Sequence, residues 1–173
     1  MLTRQFSFTA LILFIIYIVQ ESVMSQVRLP FGGFSLLLTF TLIWAALSTP
    51  INGALTGFIS GIFMDLSQST DGPMGHWTLL MIIICYAIAF LGYGDDSSRG
   101  NPLTIVFLTS AASIASLTFF VISGKLLGLE FGSLGRVLAT LVGNGLWTLA
   151  VSPFLLPVVI PLHRLLFNSQ AKL

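Results

Sequence analysis

The sequence predicts an all-α integral membrane protein, a single polytopic helical domain over residues 1–173 with about six transmembrane helices. Three observations predict it. Apolar runs recur from end to end, with 55% hydrophobic residues and a mean hydropathy of +0.99. Seven basic and six acidic side chains make up 8% of the chain, against about 25% charge in a soluble domain, too few to cover a soluble surface of this size. Cap-then-proline steps, Thr49-Pro50 and Asn101-Pro102, stand between apolar runs and open helices. The formal net charge of +1 and the lack of a basic run argue against nucleic-acid binding.

The first helix is expected from about Phe6 to Val27. "MLTR" followed by "FSFTALILFIIYIV" imitates a signal peptide, but no A-x-A cleavage pattern follows, so a retained anchor is expected. Its apolar part, Phe6–Val19, is about 21 Å long at 1.5 Å per residue, which sets Gln20 and Glu21 near the far interface. The second helix is expected over about Phe34–Ser48 and the third over Pro50–Leu66, with Thr49 as N-cap. Both are about 25 Å long and suit a thinned membrane or a packed position among neighbours.

"SQSTDGPMG" is a polar turn, and the fourth helix follows from about His76 to Tyr93. "GDDSSRGN" marks a hydrated loop before the fifth, Pro102 to about Leu127. The sixth runs from near Arg136 to near Leu166, about 46 Å if straight, longer than a hydrocarbon core of about 30 Å. Pro153, Pro157 and Pro161 each remove a backbone donor, so a kinked or broken helix is expected there. Six spans put both termini on one side. With the termini inside, Arg4, Arg99, Arg164 and Lys172 are inner and Arg28, Lys125 and Arg136 outer, a weak lean toward cytoplasmic termini.

Within the third helix, Gly53, Gly57, Gly61 and Asp65 fall at strict four-residue spacing. Glycine inside a helix costs roughly 1 kcal/mol relative to alanine, so the row needs a compensating contact. In lipid, helices associate through close backbone approach and interhelical hydrogen bonds, and a glycine groove serves both. The row is therefore a helix-packing surface, either within this chain or toward a partner's membrane helix. Asp65 lies in the last turn, where the helix dipole disfavours an anion, and it needs a cationic or hydrogen-bonding partner. Arg28, Lys125 and Arg136 are the candidates on that side.

Signals for catalysis or metal binding are poor. His76 and His163 are far apart, "GFISG" is not a nucleophile elbow, and no H-E-x-x-H or phosphate-binding glycine loop occurs. Asp95 and Asp96 read as solvated loop acids. The lone cysteine, Cys85, reads as a small apolar residue and cannot form an internal disulfide. Asn144, inside the sixth helix, is a candidate interhelical hydrogen-bonding or pocket residue. No catalytic, cofactor or metal residues are assigned.

"NGALTGFISGIFMDLSQSTDGPMGHWTLLMIIICYAIAFLG" resembles the MreD family, rod shape-determining membrane proteins of the bacterial elongation complex. The likeness is carried by Gly53, Gly57, Gly61, Asp65, Pro73, Gly75 and Tyr86, and by Asn144, a following proline and "PLHRLL" near the end. The specific residues cover about a third of the chain. The resemblance implies a six-helix fold similar to the substrate-binding subunits of energy-coupling-factor transporters, in the bacterial inner membrane, with cytoplasmic termini. It implies a non-enzymatic scaffold that binds MreC and supports cell-shape control and peptidoglycan synthesis by RodA and its partner transpeptidase under MreB, with no cofactor. The alternative is a vitamin-binding transporter subunit. The A-x-x-x-A docking pattern of that class is missing from the first helix, which holds only Ala10.

Overall fold

A computed structural model describes residues 2–22, 33–67, 73–93 and 101–167. They form six helices: α1 (Leu2–Ser22), α2 (Leu36–Leu47), α3 (Pro50–Leu66), α4 (His76–Tyr93), α5 (Pro102–Leu126) and α6 (Leu134–Phe167). α3 and α4 span the residues expected of them. α1 starts four residues earlier than the apolar pattern suggested, and residues 23–27 of its expected end lie outside the described residues. The caps account for the starts of α3 and α5. Asn101 accepts from the Leu103 amide at 3.0 Å, whereas Thr49 caps α3 without its side chain. Each is followed by proline, whose missing N–H would have been an orphan in any case.

α2 is the centre of the bundle and touches each of the other five helices. Ten of its 12 residues are buried, Leu42, Ile43 and Trp44 among them. At 1.5 Å per residue it is about 18 Å long, well short of a hydrocarbon core of about 30 Å. It is thus a core helix enclosed by its neighbours. Ser35 starts it, with its hydroxyl accepting from the Leu38 amide at 3.2 Å.

Among the described residues three helices are long and apolar enough to cross a membrane: α1 over Gln5–Ser22, α5 and α6. The polarity of the bundle supports a lipid setting. Large apolar side chains are exposed on the outer faces, such as Phe8, Leu11 and Ile15 on α1, Ile83 and Phe90 on α4, and Phe107 and Phe119 on α5. Small hydroxyl residues are buried beside the apolar core, including Thr41, Ser60, Thr109, Ser113 and Ser152. Several satisfy themselves on the preceding turn: Thr41 donates to the Leu37 carbonyl and Thr109 to the Ile105 carbonyl, each at 2.7 Å. In water outer faces this rich in large apolar side chains would be disfavoured, whereas in lipid they are at home and buried hydroxyls help helices associate.

The proline-rich end of α6 is not broken. α6 is one helix of 34 residues that contains Pro153, Pro157 and Pro161. Their four-residue spacing explains why. All three are exposed and share one face, so the missing donors fall along a single outer row while the buried face stays intact. On that inner face Ser152 donates to the Thr148 carbonyl at 2.5 Å.

Helix directions alternate, and both ends of the chain meet at one end of the bundle. There the Gln5 amide donates to the Leu166 carbonyl at 2.9 Å. Nearby, His163 Nε2 lies 3.1 Å from the Ser48 hydroxyl, and its ring stacks on Phe167 with centroids 4.6 Å apart. The C-terminal ends of α1 and α3 and the start of α4 lie at the opposite end.

Candidate functional site

α3 and α4 make the most extensive helix pairing in the bundle. The glycine row makes it. A Cβ added at Gly53 would lie 2.8 Å from the Cys85 carbonyl oxygen and 2.7 Å from the Ala89 Cβ. At Gly57 it would lie 2.4 Å from the Met81 carbonyl oxygen, and at Gly61 2.4 Å from the Thr78 Cα. Backbone therefore packs on backbone along three turns, and any side chain would have to push the helices apart. The row is occupied within the chain. Cys85 sits buried in this seam.

Asp65 closes the seam at its lower end. One carboxylate oxygen accepts from the Trp77 amide at 2.9 Å. The other accepts from the Gly75 and Thr78 amides, each at 3.0 Å, and from the Thr78 hydroxyl at 2.5 Å. These amides belong to the first turn of α4 and the residue before it, the donors a helix start leaves without partners. The last turn of α3 is an unfavourable place for an anion. Here the charge also faces the positive end of the α4 dipole, which offsets the cost. Of the expected cations, Lys125 and Arg136 are exposed and Arg28 lies outside the described residues. Among the described residues, Asp65 finds amide and hydroxyl donors in place of a cation.

Gly75 makes the geometry available. Its φ is +93°, a left-handed conformation that side chains disfavour, and it aims its own amide at Asp65. Pro73 precedes it and its carbonyl accepts from the His76 amide at 3.2 Å. Tyr86 stands on the exposed face of α4, 6.2 Å from the ring of Phe90.

Asn144 is 6% exposed and ties α6 to two other parts of the chain. Its carbonyl oxygen accepts from the Ser113 hydroxyl of α5 at 2.5 Å, and its amide donates to the Gly33 carbonyl at 3.3 Å. Ser110 of α5 donates to the Gly145 carbonyl at 2.9 Å beside it. Asn144 also borders a cavity of about 290 Å3 at the end of the bundle remote from the termini. Tyr17, Gln20, Glu21 and Trp77 line the same cavity.

His76 lies beside this region, with Nε2 2.6 Å from the Ser123 hydroxyl and its ring stacked on Phe120. His163 is at the other end, so the two histidines are not brought together. Asp95 and Asp96 lie outside the described residues. Among the described residues no group of three or more His, Cys, Asp or Glu side chains is placed to hold a metal ion.

Two features escaped the sequence. The donors to Asp65 were legible only in the spacing: an acid closing one helix, a short polar turn, then Gly75-His76-Trp77-Thr78 opening the next. The cavity draws on residues distant in sequence, and no local motif announces it. No protein-family model, curated protein or solved structure matches the chain.

Proposed function

We propose that the chain is a non-enzymatic membrane scaffold of the MreD type, which binds MreC and supports peptidoglycan synthesis by RodA and its partner transpeptidase during cell elongation. One observation carries the reading. Gly53, Gly57, Gly61, Asp65 and Gly75, five residues of the family resemblance, converge in one unit, a glycine seam closed by a carboxylate across the start of the next helix. A motif with a single joint structural role is harder to meet by chance than the same residues scattered. On this reading the unit is a rigid internal brace. Because α4 fills the glycine row, MreC contacts the outer apolar faces of the bundle. The termini are cytoplasmic, and the cavity end faces outward.

The test is affinity purification of the tagged chain from its native inner membrane in mild detergent, with the co-eluting proteins identified. MreC is expected, accompanied by RodA and the transpeptidase. Folded, monodisperse chain without MreC, or with an ATPase coupling module in its place, overturns the reading; the second result would favour the transporter alternative.

A further inference from the structure

Every helix contributes to the cavity remote from the termini: Tyr17 from α1, Leu38 from α2, Met64 from α3, Trp77 from α4, Phe120 from α5 and Asn144 from α6. Its volume of about 290 Å3 lies at the lower edge of small-ligand pockets, roughly 300–1,000 Å3. One wall is aromatic. Trp77 and Phe120 stack with centroids 4.5 Å apart, and Phe131, from the connector between α5 and α6, meets Phe120 edge-on at 6.0 Å.

The polar lining is unbalanced: its amide and carboxylate oxygens are in use, and several of its donors are not. Gln20 Oε1 accepts from the Leu36 amide at 2.7 Å, Asn144 Oδ1 from the Ser113 hydroxyl at 2.5 Å, and Glu21 from the Ser67 hydroxyl. Among the described residues, the Gln20 amide nitrogen and the Trp77 indole N–H donate to nothing. The Ser35 hydroxyl accepts from the Leu38 amide and keeps its own hydrogen, and Asn144 gives the Gly33 carbonyl only one of its two amide hydrogens. Trp77 is 6% exposed, and an indole N–H that deeply buried ordinarily has a partner. A ligand that completes this lining therefore brings acceptors. An anion has no counter-charge, since no lysine, arginine or histidine lines the cavity among the described residues. We infer that this cavity binds a small, flat, neutral carbonyl compound, its ring system against Trp77, Phe120 and Phe131 and its carbonyl oxygen accepting from the unused donors, Gln20 and Trp77 first. The site is independent of whether the chain assembles with MreC.

Calorimetry on the purified full-length protein, with heats taken against detergent alone, tests it on one ring skeleton: 1-indanone (neutral ketone), indane (no polar atom) and 1-aminoindane (cation). 1-Indanone should bind saturably at one site, about tenfold more tightly than indane, as a hydrogen bond to an otherwise unpaired donor implies. 1-Aminoindane, which brings donors to donors, should bind more weakly than 1-indanone. The infrared carbonyl stretch of the bound ketone should fall below its position in detergent alone, as hydrogen bonding at the oxygen requires. Trp77→Phe keeps a ring and the backbone amide that bonds Asp65, and Gln20→Glu keeps an oxygen for the Leu36 amide. Together they should cut the preference for 1-indanone over indane to about twofold or less. Phe131→Ala, on the connector outside the helices, should weaken 1-indanone and indane alike by about tenfold, and it serves if the double variant does not fold. Absence of saturable 1-indanone binding, tighter binding of 1-aminoindane, an unchanged preference in the folded double variant, or unchanged affinity in folded Phe131→Ala overturns the proposal.

Discussion

Two helices of this bundle carry small residues at four-residue spacing, and they meet opposite fates. On α3, Gly53, Gly57 and Gly61 are buried against the α4 backbone. On α6, Gly135, Ala139 and Gly143 repeat the spacing, but Gly135 and Ala139 are exposed, and a Cβ added at Gly135 would meet nothing within 4 Å. Small residues at this period permit close approach without causing it. What differs is the end of each row. The α3 row ends in Asp65, whose carboxylate is fastened to the first turn of α4 and so fixes where that helix starts and how it lies. The α6 row has no such fastening; its helix is held from another face, where Asn144, Gly145 and Thr148 meet α5.

If close approach distinguishes the rows, the largest effect belongs to the middle of the covered one. Gly57→Leu should destabilise by about 3 kcal/mol, the upper part of the overpacking range, because the obstacle is the Met81 carbonyl and not a side chain that can turn away. The melting temperature in detergent reads this directly. An unchanged value would mean that the seam opens freely, and the comparison would lose its basis.

The fastening comes next. Asp65→Leu strips three amides and a hydroxyl of their acceptor, and should cost about 2 kcal/mol, the high end for loss of a helix cap. Asp65→Asn keeps an oxygen acceptor and should cost about half as much. Asp95→Leu removes the same charge at a position that the sequence reads as a solvated acid, outside the described residues, and on that reading should stay within about 0.5 kcal/mol. If the chain is the proposed MreC-binding scaffold, recovery of MreC with the tagged chain should fall in the same order. Equal melting temperatures for Asp65→Leu and Asp95→Leu would reduce Asp65 to an ordinary boundary residue.

The contrast also marks where sequence reading stops. Helix positions were legible because apolar runs and cap-proline steps are local signals, and α3 and α4 span the expected residues. The glycine row was legible as a groove, because the cost of helical glycine demands a contact. Its occupant was not, since spacing records a surface and not what lies on it. The same limit hid the donors to Asp65. A charge at a helix end reads as needing a cation, and only the fold shows that the next helix starts within hydrogen-bonding reach. The central place of α2 was hidden for a different reason. In a membrane protein the outer surface is as apolar as the core, so hydrophobicity no longer separates buried from exposed. The prolines of α6 do not break the helix, because their common exposed face, which their four-residue spacing sets, confines the lost donors to one side.

The smallest expected effect tests the open row. Gly135→Leu places a branched side chain where nothing approaches within 4 Å. It removes a helix-weakening glycine from near the start of α6, a change worth up to about 1 kcal/mol in a helix interior and less near an end. The melting temperature should therefore hold or rise slightly, in the same detergent in which Gly57→Leu lowers it. The pair matters more than either value, since both substitutions turn a helical glycine into leucine and any propensity gain is, if anything, larger at the interior Gly57, which works against the expected difference. A loss at Gly57 without one at Gly135 is therefore owed to the opposing backbone. A loss at Gly135 as large as that at Gly57 would mean that this face is packed in the purified protein too, and that spacing alone had identified both contacts.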